Sequence, residues 1–206
     1  MNTIFKRRDS QPVNIRINNL KLSQTVLEIL SARGLQDEGQ IKQFLSPNEK
    51  DLHNPFLLSG MQELTDRLFC ACQNNETVII YGDYDADGIC ATAILSDYLS
   101  LCGAQVYPYI PSRHNDGYGL SIDALTKIIE DCTPDLIVSC DCGISAAAEV
   151  EFVMDLGVDI YVTDHHEVPD NPPDCVIVNP KLKNQDYPFD MLCGAGVALK
   201  VIQAMG

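Results

Sequence analysis

The sequence predicts an α/β protein: a doubly wound, five-stranded parallel sheet with helices on both faces, preceded by a small helical segment. Short apolar runs of strand length alternate with helical stretches after residue 77, which is typical of parallel sheets. Serine and glycine residues stand where these helices are expected to begin and end. A chain of 206 residues, 46% of them hydrophobic, is large enough to bury one sizeable core.

Residues 1–76 are predicted to form a helical lead-in. Ser23 is a candidate N-cap for a helix over 24–33, and Gly34 is its candidate stop. Two more short helices are predicted over 38–45, before Ser46-Pro47, and over 61–72.

Residues 77–206 are predicted to form the sheet domain. The expected strands cover 78–81, 105–107, 136–138, 160–162 and 175–178. The expected helices cover 89–101, 122–131, 146–156 and a stretch after Gly196, with Ser121 and Ser145 as candidate N-caps. In the strand order 2-1-3-4-5, the first, third and fourth strands are neighbours, and their loops converge on one crevice.

The net charge of −15 lies entirely in the sheet domain. Residues 1–76 carry nine basic and nine acidic residues, whereas residues 77–206 carry five basic and twenty acidic ones. Because affinity for nucleic acid normally depends on Lys and Arg, two interpretations follow. The carboxylates serve a metal site, or the domain does not contact nucleic acid at all.

Composition also indicates the cellular compartment of the protein. No apolar run is long enough for a membrane-spanning helix, and the N-terminus lacks the apolar stretch of a secretory signal. Nine cysteines without regular spacing argue against a disulfide framework and for a reducing compartment. We therefore expect a cytoplasmic protein with free thiols.

Acidic residues follow three of the five predicted strands. GDYDADG at 82–88 follows the first, SCDCG at 139–143 the third, and TDHHE at 163–167 the fourth. Crowded carboxylates repel one another unless cations are bound, and carboxylate with imidazole suits Mn²⁺ or Mg²⁺. Asp141 is placed to bridge two such ions.

Each feature also has a plainer interpretation. An Asp-Gly pair is common in turns, a single Asp after a strand is often a helix cap, and adjacent histidines occur on surfaces by chance. The coincidence of all three at neighbouring strand ends favours the metal site. Backbone N–H groups of Gly194 and Gly196 before the last helix are candidates for a phosphate contact, although tight helix packing explains these glycines equally well.

The motifs resemble a known family. GDYDADG, DCGIS, TDHH and NPK resemble, in this order, the motifs of the DHH phosphoesterase superfamily. More closely, YGDYDADGICAT, PSRHNDGYGLS, CDCGIS and LCGAGVALK are similar to bacterial RecJ-type single-strand-specific exonucleases. The resemblance implies a nuclease that needs Mn²⁺ or Mg²⁺, with two ions in the complete enzyme. It also implies degradation of single-stranded DNA from the 5′ end in recombination and repair.

The resemblance assigns a role to each motif residue. It implies metal ligands at Asp83, Asp85, Asp141 and His165. It implies catalytic roles for His166 at the scissile phosphate, for Asp164 as the group that orients an imidazole, and for Asp87, which either binds metal or holds the loop. Arg113, beside the GYGL segment, is then a candidate phosphate contact, or it pairs with Asp116.

The resemblance also has limits. RecJ-type enzymes carry a further acidic motif and additional domains downstream, so we expect these 206 residues to be an incomplete catalytic portion with weak or no activity. Single-strand-binding or repair proteins would contact the missing domains. Two alternatives remain: a DHH phosphodiesterase for short RNA or cyclic dinucleotides, and a non-catalytic scaffold that binds partners.

Overall fold

The computed structural model describes residues 22–112 and 119–206. The chain divides into two compact units, Met1–Leu52 and His53–Gly206. In the first unit, α1 (Gln24–Ala32) and α2 (Glu38–Leu45) are followed by a short 3-10 turn. Ser23 and Asp37 cap the two helices with their side chains, and a small core holds Leu27, Leu30 and Ile41.

The second unit alternates strands and helices as predicted. Its helices are α3 (Met61–Asn74), α4 (Ala86–Cys102), α5 (Ile122–Cys132), α6 (Ala147–Asp155) and α7 (Gly194–Met205). Its strands are β1 (Thr77–Tyr81), β2 (Gln105–Tyr109), β3 (Leu136–Cys140), β4 (Asp159–Thr163) and β5 (Val176–Val178).

All five strands pair in parallel in the order β2-β1-β3-β4-β5, which confirms the predicted fold class and strand order. β1, β3 and β4 are therefore adjacent. Because parallel strands end at the same edge, the loops that follow these three strands meet there.

The sheet is covered on both faces. Alternate residues of β1 point to opposite sides: Val78 and Ile80 pack with α3, α4 and α7, whereas Ile79 and Tyr81 pack with α5 and α6. Both cores are built from side chains that are almost fully buried. The helix α3, predicted as part of the lead-in, thus packs within the sheet unit.

Three helix starts differ from the prediction. α4 begins three residues early because Asp85 caps it, and α7 begins at Gly194 rather than after Gly196. The predicted cap at Ser145 is wrong: Ala146 precedes α6, and no side chain caps that helix. A short polar residue near the start of a helical stretch predicts that a helix begins there, but it does not predict which residue is the N-cap.

All nine cysteines are free thiols in the structure. Among the described helices, none combines the length and the apolar character needed to cross a membrane.

Candidate metal centre

The loop after β1 places the first two carboxylates. Asp83 is buried, and its Oδ1 has no hydrogen-bond partner. Asp85 is exposed, and its Oδ1 accepts the N–H groups of Asp87 and Gly88 at 2.8 and 3.0 Å. A Cβ at Gly88 would lie 2.6 Å from the Asp83 nitrogen, so glycine allows the first turn of α4 to lie directly against this loop.

Asp141 lies just after β3 with a left-handed backbone, φ +61°. This conformation is unfavourable for most residues with a side chain and is found preferentially at functional sites. The carboxylate is buried and its Oδ1 lacks a hydrogen-bond partner. Burial, followed by the negative charges of Asp87 and Asp85, raises the pKa of Asp141 to about 7. The protein alone therefore stabilises the ionised form of this side chain poorly.

Asp164 organises the two histidines after β4. Its Oδ1 accepts the backbone N–H groups of His165 and His166 at 2.7 and 3.1 Å and lies 2.7 Å from Nδ1 of His166. Its Oδ2 accepts the N–H of Ile144 at 3.0 Å. An ionised carboxylate only accepts hydrogen bonds, so Nδ1 of His166 carries a proton. Asp164 thus fixes the orientation of the His166 ring.

The same contact changes the acidity of His166. Burial lowers the pKa of His166, but the hydrogen bond and the charge of Asp164 raise it more, so the net shift is upward. The protonated imidazole is therefore populated at higher pH than in an isolated histidine.

Asp87 joins the first loop to the start of α7. Its Oδ2 accepts the N–H of Gly194 at 2.6 Å, and its Oδ1 accepts that of Ala195 at 2.8 Å. Burial raises the pKa of Asp87, but hydrogen bonds from Ala195, Cys193 and Gly194 outweigh this and lower the pKa overall. A Cβ at Gly194 would overlap the Asp141 carboxylate, so glycine is required for α7 to begin this close to the site.

Two groups of potential ligand atoms share Asp141. One consists of Asp83, Asp85 and Asp141, and the other of Asp141, His165 and His166. Within each group, one ligand atom per residue lies within 4.8 Å of the others. His165 Nε2 is 3.0 Å from Asp141 Oδ1 without making a directed hydrogen bond, and it is 3.6 Å from Asp87 Oδ2.

The side chains of the two ligand groups are suited to binding a divalent cation. Two buried carboxylate oxygens, on Asp83 and Asp141, have no partner, although buried charged groups normally require one. The donors are carboxylate oxygens and imidazole nitrogens, a set that suits Mn²⁺ and Mg²⁺ and contains no thiolate pair for structural zinc.

A cavity of about 290 Å³ opens beside His166. Asp164, Glu149 and residues 143–146 line it, together with residues 119–120. The cavity gives a ligand direct access to the imidazole that Asp164 orients.

The structure brings all seven predicted acidic and histidine residues to one edge of the sheet: Asp83, Asp85, Asp87, Asp141, Asp164, His165 and His166. Arg113 lies outside the described residues. The N–H of Gly194 is bonded to Asp87. A phosphate contact at Gly194 would first have to break that bond.

Asn179, the first residue of the NPK motif, supports the site, a role that the motif resemblance did not assign to it. It is fully buried after β5; its Nδ2 donates to the His166 carbonyl at 3.0 Å, and its Oδ1 accepts the N–H of Lys181 at 2.8 Å. The sequence signal for this role was the position of Asn179: an amide side chain directly after a strand, at the edge of the sheet where the acidic loops meet.

Fold and site together define an α/β domain with a candidate divalent-metal centre at the carboxyl ends of its strands. The chain belongs to the DHH family: the family model "DHH family, N-terminal domain" matches residues 77–206. This confirms the resemblance drawn from the motifs.

Two curated relatives are single-stranded-DNA-specific exonucleases named RecJ. The one from Bacillus subtilis is 37% identical over 202 residues, covering 98% of this chain and 26% of the relative. The one from Haemophilus influenzae is 33% identical over 207 residues, covering 100% of this chain and 34% of the relative. The chain thus spans about a quarter to a third of the length of these relatives.

Solved structures agree with this assignment. RecJ from Thermus thermophilus in complex with Mn²⁺ superposes with a TM-score of 0.71 at 31% identity, covering 90% of this chain and 25% of that one. An exonuclease RecJ bound to manganese superposes with a TM-score of 0.65 at 37% identity, covering 72% and 37%. The Thermus thermophilus protein has also been solved with Mg²⁺, with a TM-score of 0.53 at 28% identity, covering 85% and 20%.

Proposed function

We propose that residues 77–206 form the catalytic domain of a Mn²⁺- or Mg²⁺-dependent phosphodiesterase that removes nucleotides from the 5′ end of single-stranded DNA. The observation that carries the proposal is the pair of ligand groups that share Asp141, with unpartnered buried oxygens on Asp83 and Asp141. The substrate class is that of the relatives, which are single-stranded-DNA-specific exonucleases.

In this proposal Asp83, Asp85, Asp141 and His165 hold two ions. Bound divalent ions neutralise charge on a phosphate and make water a better nucleophile at neutral pH. Asp85 can serve twice, because only its Oδ1 is used to cap α4. Asp87 fixes α7 against the site, and its remaining lone pairs face His165.

His166 is the proposed contact for the scissile phosphate. Asp164 holds its Nδ1, so its Nε2 is the nitrogen that can reach a substrate. The raised pKa favours the protonated ring, which donates a hydrogen bond to a phosphate oxygen. Asp164 acts through His166 and is a positioning residue.

Charge limits what these 206 residues can do alone. Residues 77–206 carry the whole −15, so we expect weak, salt-sensitive binding of single-stranded DNA and at most residual cleavage at high Mn²⁺. A role in recombination and repair in the cytoplasm, and contacts with single-strand-binding proteins, belong to the same proposal.

A direct assay tests the proposal. The chain at high concentration is incubated with Mn²⁺ and labelled single-stranded DNA, duplex DNA, short RNA or a cyclic dinucleotide, and product release is followed. We expect slow release of 5′ mononucleotides from single-stranded DNA, lost in His166→Ala and unchanged in Lys127→Ala, whose side chain is exposed on α5. Preferential cleavage of short RNA or the dinucleotide would replace the substrate assignment. Product release that is equal in the wild type and in His166→Ala would contradict the proposed site.

A further inference from the structure

Cationic side chains are scarce on the acidic sheet domain. Of the five Lys and Arg in residues 77–206, Arg113 lies outside the described residues and Lys200 is buried, with its Nζ donating to the His53 carbonyl and to Gln203. Lys127 is exposed on α5. The remaining two, Lys181 and Lys183, stand together in the loop after β5.

This loop is tied to the candidate metal centre. Asn179 holds the His166 carbonyl with its Nδ2 and the Lys181 N–H with its Oδ1. The Asn179 carbonyl in turn accepts the N–H of Leu182 at 3.2 Å and the side chain of Gln185 at 3.0 Å. Leu182 packs against the core that also holds α5 and α6. These contacts hold the backbone of Lys181 and Leu182 relative to His166.

The lysines line a groove of about 530 Å³ together with Glu167 and Asp190. Glu167 directly follows His166 in the chain. Lys181 Nζ lies 2.9 Å from Glu167 Oε1, and the Glu167 side chain is 88% exposed. A solvent-exposed ion pair of this kind contributes only about 0 to 1 kcal/mol, so another anion can displace Glu167 easily.

We infer that the loop formed by residues 180–183 binds the phosphodiester backbone of single-stranded DNA next to the scissile phosphate, with a DNA phosphate replacing Glu167 on Lys181. This inference rests on the proposed function, since it takes its ligand from there. The two lysines of the loop, which Asn179 ties to His166, position the strand electrostatically without reading its sequence. Glu167 then weakens binding, because a phosphate must compete with it for Lys181.

The test is salt-dependent binding of a fluorescent oligo(dT), measured by anisotropy. We expect Lys181→Ala and Lys183→Ala each to weaken binding about threefold or more at low salt, and to reduce the slope of log Kd against log salt concentration by about 0.7. Lys127→Ala, which removes an equal charge from α5, is the matched control and should behave like the wild type.

Glu167→Gln tests directly whether Glu167 competes with DNA for Lys181. It should strengthen binding, and this gain should vanish when Lys181 is already Ala, because the two side chains act as a pair. Equal slopes for Lys181→Ala, Lys183→Ala and Lys127→Ala would overturn the inference and leave the proposed function standing. A wild-type chain that binds Mn²⁺ but no oligo(dT) would overturn both the inference and the proposed substrate.

Discussion

Replacing Asp141 by Asn should stabilise the metal-free protein while removing its response to metal. The folded protein raises the pKa of Asp141 from 3.8 to about 7. At about 1.36 kcal/mol per pKa unit, keeping this buried carboxylate ionised at pH 8 costs on the order of 4 kcal/mol. Asn is the suitable substitute because it tolerates a left-handed φ better than Ala does. Since a buried amide without a partner costs roughly 1 kcal/mol itself, we expect a net gain of about 3 kcal/mol.

The sign of the pH dependence follows from the same pKa. Unfolded Asp141 loses its proton near pH 4, whereas the folded residue keeps it until about pH 7. Unfolding therefore releases a proton between these values, and the stability of the metal-free wild type falls as pH rises through this window. Asp141→Asn should lack this contribution, so its advantage should be small near pH 4 and full above pH 7.

Thermal and urea unfolding in EDTA and in Mn²⁺ provide the assay. A gain of about 3 kcal/mol corresponds to a Tm increase of roughly 6 to 12 °C for a chain of this size. Saturating Mn²⁺ should stabilise the wild type by mass action, about 2.7 kcal/mol at 100 times the Kd, and should not stabilise the variant. Asp97→Asn, on the exposed face of α4, is the control. Equal Mn²⁺ stabilisation of wild type and Asp141→Asn would refute the shared-ligand geometry.

Three further substitutions probe the surroundings of the site. Gly194→Ala should destabilise the fold by about 1 to 3 kcal/mol and weaken Mn²⁺ binding, because the added Cβ would overlap the Asp141 carboxylate. Unfolding curves and Mn²⁺ titrations measure the two effects. Unchanged stability and unchanged Mn²⁺ binding would contradict the close packing of Gly194 on Asp141. Asp87→Ala should cost about 0.5 to 2 kcal/mol through the lost cap of α7, measurable by amide exchange in its first turn. Asp164→Asn should lower the pKa of His166, as followed by NMR titration; an unchanged titration would exclude Asp164 as the cause of the raised pKa.

The strand order and the convergence of the acidic loops were predictable because both follow from local signals. Short apolar runs that alternate with helical stretches predict a parallel sheet, and parallel strands end at one edge. Asp83, Asp141 and Asp164 each come within two residues of a strand end, so their meeting requires only that β1, β3 and β4 be neighbours.

The contacts between distant segments were not predictable in the same way. Asp87 meets Gly194 across 107 residues of sequence, and the contact depends on how closely the start of α7 approaches the start of α4. The sequence is compatible with two explanations for Gly194, a phosphate contact or tight packing. The structure supports tight packing, because a Cβ at this position would overlap the Asp141 carboxylate. Likewise, Asn179 is defined by its two hydrogen bonds, to His166 and Lys181, which no spacing rule indicates.

The buried carboxylates of Asp83 and Asp141 link the stability of the metal-free domain to its metal binding. At the sheet edge the buried Oδ1 atoms of Asp83 and Asp141 have no hydrogen-bond partner, and burial raises the pKa of both residues. The start of α7 at Gly194 lies directly against the Asp141 carboxylate and leaves no room there for a larger residue. A cation is then the group that can compensate these carboxylates without changing the fold. The arrangement that makes the metal-free domain less stable is therefore the one that selects a divalent ion.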